Sequence, residues 1–339
     1  MNHFIQLILK FRNLSEVTIK NYDRGLNKLQ METTLNNAEF ITKWSEVLNH
    51  IINSSHKEPY KLNILNFYIV VLDSYIKQEL YEFNSVTGDI EQGLVECRKL
   101  QSKIKESLDI LKYNEMKTPK EESNWVSFED LEKCVKTNFK SIKKISNEEH
   151  LDSKTIKKIH MWLISAIYSA GQNNPPLRLD FGNMIIISKV DYDNYPPYSG
   201  NGLPQPNFLV ILNQRTKWFV LNDYKTVKKY GTKTILLYPK LNTVINKYLK
   251  IKNTANIYSN LLLFNNKFEP LSESLMSTYI GDAFISTGKK ITANLIRHIF
   301  ITEIALNLPL AARMVIASRM CHDISQQLCY NKINPPSDE

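Results

Sequence analysis

Hydrophobic spacing changes character once along this 339-residue chain, and that change limits the folds open to it. Through residues 1–112 the apolar side chains recur at intervals of three and four, the spacing of helices buried on one side. In SEVTIKNYDRGLNKL, Ser15 stands where an N-cap belongs, and Ile19, Tyr22, Leu26 and Leu29 follow on one face. Further helices are expected over Phe40–Asn53, Tyr60–Leu80 and Asp89–Lys112, making four in a small bundle. The polar stretch 113–124, YNEMKTPKEESN, breaks the pattern and reads as a linker. Helical spacing resumes at Ser127, with Asp130 three residues on, and again from Ser153 to Ala170.

Beyond residue 180 the spacing shortens. GNMIIISKV, NFLVIL, KWFVLND and TKTILLY are short, β-branched or aromatic runs bounded by turn residues, and each predicts a strand. The last two flank YKTVKKYG, a basic hairpin tip. After Pro239 the chain reads as helical again, apart from a brief LLLF. The expected fold is mainly α with a small antiparallel β-sheet: an N-terminal helical bundle (1–112), a linker (113–124) and an α+β domain (125–339).

No run approaches the roughly 18 consecutive apolar residues of a membrane span. MNHFIQLILKFR has no basic segment ahead of its short apolar run, so it reads as a helix start rather than a signal peptide. That points to an intracellular protein. The four cysteines (97, 134, 321 and 329) form no CxxC pair and suit no common zinc motif.

Of 43 Lys+Arg and 34 Asp+Glu in the chain, residues 1–120 hold 16 and 15, which leaves 27 and 19 for residues 121–339. The basic excess of the second part suits a polyanionic partner such as nucleic acid, or simply a solvated surface. Lys20, Arg24 and Lys28 recur every fourth residue on one helix face, where they would meet solvent or a phosphate backbone.

Five residues of the second domain are suited to act on one phosphate. Arg178 lies in PPLRLDFG, between a helix and the first strand. Lys225 lies in the hairpin tip, with Lys228 and Lys229 beside it. Arg297 lies in ANLIRHIF, on a helix capped by Thr292. His322 and Tyr330 stand eight residues apart in MCHDISQQLCY. Singly, each is as ordinary as any surface cation or packed aromatic residue.

Together, in this order, they resemble the catalytic domain of the tyrosine recombinases, or tyrosine integrases, and of their relatives the type IB topoisomerases. PPLRLD, NDYKTVKKYG, NLIR and MCHDISQQLCY match that family's first Arg, hairpin Lys, HxxR, and His followed by Tyr. SEVTIKNYDRGLNKL resembles the family's core-binding domain. The style of the motifs is similar to recombinases of eukaryotic mobile elements and of large DNA viruses or virophages.

The resemblance implies a site-specific recombinase. Arg178 and Arg297 would clamp the phosphate, His322 would add a hydrogen bond, and Tyr330 would attack phosphorus to form a 3′-phosphotyrosine. Lys225 would protonate the departing 5′-oxygen, with neither metal, ATP nor any cofactor required. The implied partner is double-stranded DNA, bound by a tetramer that joins two duplexes and is monomeric or dimeric when free. No membrane is implied. The nucleus, or the site where an element's or virus's DNA replicates, is the expected location.

The match has departures. Asn294 takes the first place of HxxR and cannot shuttle a proton. His298, adjacent to Arg297, could compensate, but one residue along a helix turns it about 100° away, and a packed histidine is the expected reading. Phe181 stands where the family often has an acid, and Asp180 is the nearest carboxylate that could orient Arg178. The alternatives are a topoisomerase that relaxes DNA, and a relative that binds DNA without cutting it.

Overall fold

The computed structural model describes residues 2–81, 88–113, 116–143, 150–196 and 205–333. The chain divides into two compact units, residues 1–114 and 115–339.

The described part of the first unit is helical throughout. It comprises α1 (His3–Phe11), α2 (Glu16–Thr33), α3 (Asn37–Thr42), α4 (Trp44–Asn53), α5 (Glu58–Tyr81) and α6 (Gly88–Tyr113). Ser15 caps α2 through its side chain, as its position in the sequence predicts. The single helix expected over Phe40–Asn53 is two. Asn36 and Glu39 form a capping box that starts α3 early, and the chain leaves helical geometry at Lys43 before α4 begins. Leu26, Leu29, Phe40, Val47, Ile51, Tyr68 and Cys97 belong to the unit's buried core. Gly25 has a steric role there, since a Cβ at that position would lie 2.5 Å from the Phe67 ring.

In the second unit α7 (Pro119–Asn124), α8 (Phe128–Ile142) and α9 (Ser153–Tyr168) come first. The stretch read as linker therefore carries a helix of its own, with Thr118 and Glu121 as its capping box. Residues 114 and 115 lie outside the described residues. Next come β1 (Ile185–Ser188), α10 (Lys189–Asp193), β2 (Phe208–Ile211), β3 (Lys217–Leu221), α11 (Val227–Tyr230) and β4 (Lys233–Leu236). Helices α12 (Pro239–Thr254), α13 (Glu273–Ala283), α14 (Ala293–Glu303), α15 (Leu310–Arg319) and α16 (Ile324–Leu328) complete the described chain.

The four strands pair in the order β1-β2-β3-β4. The small sheet is present as expected, but it is mixed rather than antiparallel. β2-β3 and β3-β4 are antiparallel, whereas β1 runs parallel to β2, with Ile185 opposite Phe208. Parallel neighbours need a crossover rather than a tight turn. Here the chain leaves β1 into α10, which Ser188 caps, before it returns as β2. The brief LLLF run meets the sheet as a single antiparallel bridge between Leu261 and Ile185.

Alternation along the strands divides the side chains between two faces. Leu209, Phe219, Leu221 and Ile235 join the main core with Phe181 and residues of α8, α9, α12, α13 and α14. Phe208, Val210 and Val220 form a smaller cluster with Trp218 and Tyr192. Tyr330 belongs to the main core. No helix among the described residues is long and apolar enough to cross a membrane.

Candidate active site

Thr292 caps α14 by accepting a hydrogen bond from the Leu295 N–H, which fixes where the helix starts and which side chains turn inward. Arg297 is 1% exposed, an unusual burial for a guanidinium. One of its terminal nitrogens donates to the Pro176 carbonyl at 2.9 Å, another contacts His322 Nδ1 at 3.1 Å, and its Nε has no protein partner. The guanidinium carbon lies 4.9 Å from the centre of the Tyr330 ring.

The short helix α16 separates His322 from Tyr330 and brings their rings to 5.5 Å. His322 is buried, and its Nε2 has no partner in the protein. Burial, reinforced by Arg297 and Arg178, holds its pKa down at about 3, so the ring is neutral at physiological pH.

Tyr330 is 7% exposed. Burial alone would push its phenol upward, but Arg297 and Arg178 outweigh burial by charge and by hydrogen bonding, so the pKa falls below 10. Two arginines that are far apart in the sequence thus act on one phenol.

Arg178 reaches this point from the loop between α9 and β1. Its carbonyl accepts a hydrogen bond from the Tyr168 hydroxyl, and its N–H donates to Asp180 at 3.2 Å. Asp180 does hold Arg178, through the main chain. Burial raises the Asp180 carboxyl, while Arg297 and Arg178 pull it back. Phe181 is a core residue packed against Tyr168 and Phe219.

The tip between β3 and β4 is longer than a tight hairpin and contains α11. It docks on the segment that carries His322. Thr226 donates to the Cys321 carbonyl at 2.9 Å, Lys229 pairs with Asp323 at 2.9 Å, and the Tyr230 hydroxyl reaches Asp323 at 3.1 Å. Lys225 is exposed on this docked tip, as is Lys228. Lys229, expected as a DNA contact, is engaged with Asp323.

Asn294 is exposed, one turn before Arg297 on α14. His298 is buried, and although it follows Arg297 directly it also touches Tyr330: its Nδ1 lies 2.8 Å from the Tyr330 carbonyl and the two rings are 4.9 Å apart. In the first unit, Lys20 and Arg24 are exposed on α2. Lys28 is partly committed there, 3.6 Å from Glu32 and over the Tyr60 ring.

Tyr168, the Pro176 carbonyl, Asp323 and Glu121 act on the candidate residues or their neighbours and are not among the motif residues of the sequence. Only Asp323 carried a local signal, since it stands beside His322.

No protein-family model and no curated protein matches the chain. Among solved structures, that of lambda integrase (residues 75–356), a dimer bound to a COC′ core site, is similar over 98% of this chain and 93% of its own, at 13% identity and a TM-score of 0.50. The structure of XerA recombinase is similar over 98% of this chain and 94% of its own, at 12% identity and a TM-score of 0.40. The likeness to lambda integrase establishes a tyrosine-recombinase fold.

Proposed function

With the tyrosine-recombinase fold as premise, we propose that this chain is a site-specific DNA recombinase, or integrase, that cuts and rejoins strands through Tyr330. The observation that carries this reading is the buried Arg297 guanidinium, 4.9 Å from the centre of the Tyr330 ring and 3.1 Å from His322, whose Nε2 is unpartnered, with the charge of Arg178 acting on the same phenol. Fold alone would not carry it, since one fold hosts many functions.

The chemistry follows from the residue types. A phosphodiester under attack gains charge on its non-bridging oxygens, and two guanidinium groups can hold those oxygens in pairs. His322 Nε2–H adds a neutral donor. The same cations favour the phenolate, so Tyr330 loses its proton to solvent and its oxygen bonds to phosphorus. The bond from phosphorus to the 5′-oxygen breaks, and Lys225 supplies the proton that this oxygen takes. The product is a 3′-phosphotyrosine and a free 5′-hydroxyl. Attack by the 5′-hydroxyl of another strand reverses the step and releases Tyr330. Bond energy is kept throughout, so ATP has no part in the cycle.

The partner is double-stranded DNA, with the first unit as a second DNA-binding element that offers Lys20 and Arg24. Recombination between two duplexes calls for four copies of Tyr330, hence a tetramer on DNA. The protein would act inside the cell, in the nucleus or wherever the DNA of a mobile element or virus replicates.

The test is covalent trapping. The protein is mixed with nicked DNA fragments of its source genome in EDTA, adducts are captured under denaturing conditions, and the attached ends are sequenced. Adducts clustered at one inverted repeat, and lost in Tyr330→Phe, support the recombinase. Adducts scattered over loosely related sequences favour a topoisomerase. DNA that is bound but never attached overturns the catalytic reading.

A further inference from the structure

The main chain around Tyr330 is gripped from a part of the sequence that the catalytic reading leaves idle. The Tyr330 carbonyl can only accept, so His298 Nδ1 carries a proton and donates to it at 2.8 Å. The other ring nitrogen, Nε2, lies 3.6 Å from Glu121 Oε1. Glu121 Oε2 lies 3.5 Å from the Lys332 ammonium, two residues beyond Tyr330. All three side chains are at least 80% shielded, with relative exposures of 10% for His298, 20% for Glu121 and 11% for Lys332.

The contacts continue past Tyr330. Lys332 N–H donates to Thr302 on α14 at 3.0 Å, and its ammonium reaches the Met116 carbonyl at 3.3 Å. Lys117 N–H donates to the Ile333 carbonyl at 3.3 Å, in a parallel bridge between Met116 and Ile333. Glu121 is itself immobilised, because its carboxylate accepts from both the N–H and the hydroxyl of Thr118. Helix α7 is tied down at its far end, where Lys289 donates to the Ser123 carbonyl and Lys290 N–H to the Asn124 side chain, both at 2.8 Å.

We propose that Glu121 and His298 are positioning residues for the nucleophile. The bridge at Met116 and the helix α7 that follows it serve as a brace that sets where the Tyr330 phenol sits against Arg178 and Arg297. The inference rests on Tyr330 being the nucleophile. Its physical basis is that a loop segment keeps one position only if its polar groups are held. Arg178 and Arg297 hold the phenolic end of Tyr330, and the brace holds the peptide end.

The test compares wild type with His298→Phe, His298→Asn and Glu121→Gln on the nicked genomic fragments. The rate of covalent attachment and the fraction of DNA retained are measured separately. His298→Phe deprives the Tyr330 carbonyl of its donor and should slow attachment by about a hundredfold, the cost of misplacing a reacting group by an ångström. DNA retention should stay within about twofold. His298→Asn carries an amide N–H close to where Nδ1 was and should recover most of the rate. Glu121→Gln should slow attachment by about tenfold.

A second readout needs no activity: 3-fluorotyrosine at position 330, whose fluorine resonance should move in His298→Phe and Glu121→Gln and return in His298→Asn. Attachment rates and fluorine resonances equal to wild type in folded His298→Phe and Glu121→Gln overturn the brace. Equal losses in His298→Phe and His298→Asn reduce His298 to a packing role and also overturn it. If wild type itself attaches to no DNA, Tyr330 is not the nucleophile, and the positioning role falls with it.

Discussion

Arg297 approaches Nδ1 of His322 at 3.1 Å, and this contact fixes which nitrogen of the histidine carries its proton. A guanidinium has only donors, so Nδ1 must accept, and the proton of the neutral ring lies on Nε2. That N–H is buried without a protein acceptor, so it is ready to meet a phosphate oxygen. His322→Phe should therefore slow covalent attachment by about 10²- to 10³-fold, the usual effect of deleting one donor to a developing oxyanion. DNA affinity should change little. A single-turnover rate and a binding isotherm, measured side by side, check both halves.

Acid should weaken the fold through its buried histidines. Burial, with Arg297 and Arg178, holds His322 down to about 3, and burial with Lys252 nearby does the same to His160. In the unfolded chain both titrate near 6.5. The unfolded state therefore takes up protons first as pH drops. Their contribution to stability is complete above about pH 6.5 and is lost progressively toward pH 3, at about 1.4 kcal/mol per pH unit for each histidine. Burial lowers His298 too, which adds in the same direction. His160 packs edge-on to Phe264 with its Nδ1 unpaired. Urea denaturation at pH 6, 5 and 4 should show His160→Phe losing about 1.4 kcal/mol less per unit than wild type.

The phenol of Tyr330 gives a second pH signature, of opposite chemistry. Burial raises it, Arg297 and Arg178 lower it, and the cations win. Attachment limited by phenolate formation should rise with pH and level off below pH 10. Removing one cation while leaving the burial shifts the balance toward the neutral phenol. Arg178→Ala should move the inflection upward and lower the plateau by about 10²-fold or more, because the same guanidinium stabilises the transition state. An unmoved inflection in the single-turnover pH profile would mean that Arg178 does not act on the phenol.

Local signals in the sequence led to the parts of the site that local geometry determines. Ser15, Ser127 and Thr292 cap the helices expected of them, because a cap involves only a few neighbouring residues. The Thr292 cap sets the start of α14 and with it the inward turn of Arg297. What stayed hidden depends on residues distant in sequence. The parallel register of β1 depends on a crossover, which strand composition does not encode. His298 reads from the sequence as a packed histidine, but its partner there, Tyr330, lies on a different segment: Tyr330 is broad enough to meet Arg297 with its ring and His298 with its ring and carbonyl. Glu121 fell in a stretch read as linker, because its partners His298 and Lys332 come from the other end of the unit.

Lys225 sits exposed on a tip that Thr226, Lys229 and Tyr230 fasten to residues 321 and 323. Fastened there, it is next to the segment bearing His322, where a departing 5′-oxygen would need a proton. A lysine that acts only by giving that proton becomes dispensable when the leaving group needs none. With ordinary nicked DNA, Lys225→Ala should slow attachment by about 10²- to 10⁴-fold. With sulfur in place of the bridging 5′-oxygen, the thiolate departs unprotonated, since thiols ionise near 8.5. The variant should then match wild type within a few-fold. Equal loss on both substrates would make Lys225 a phosphate contact rather than an acid. Loss on neither would transfer the role to Lys233, the cation on β4 that lies 5.7 Å from the Tyr230 ring.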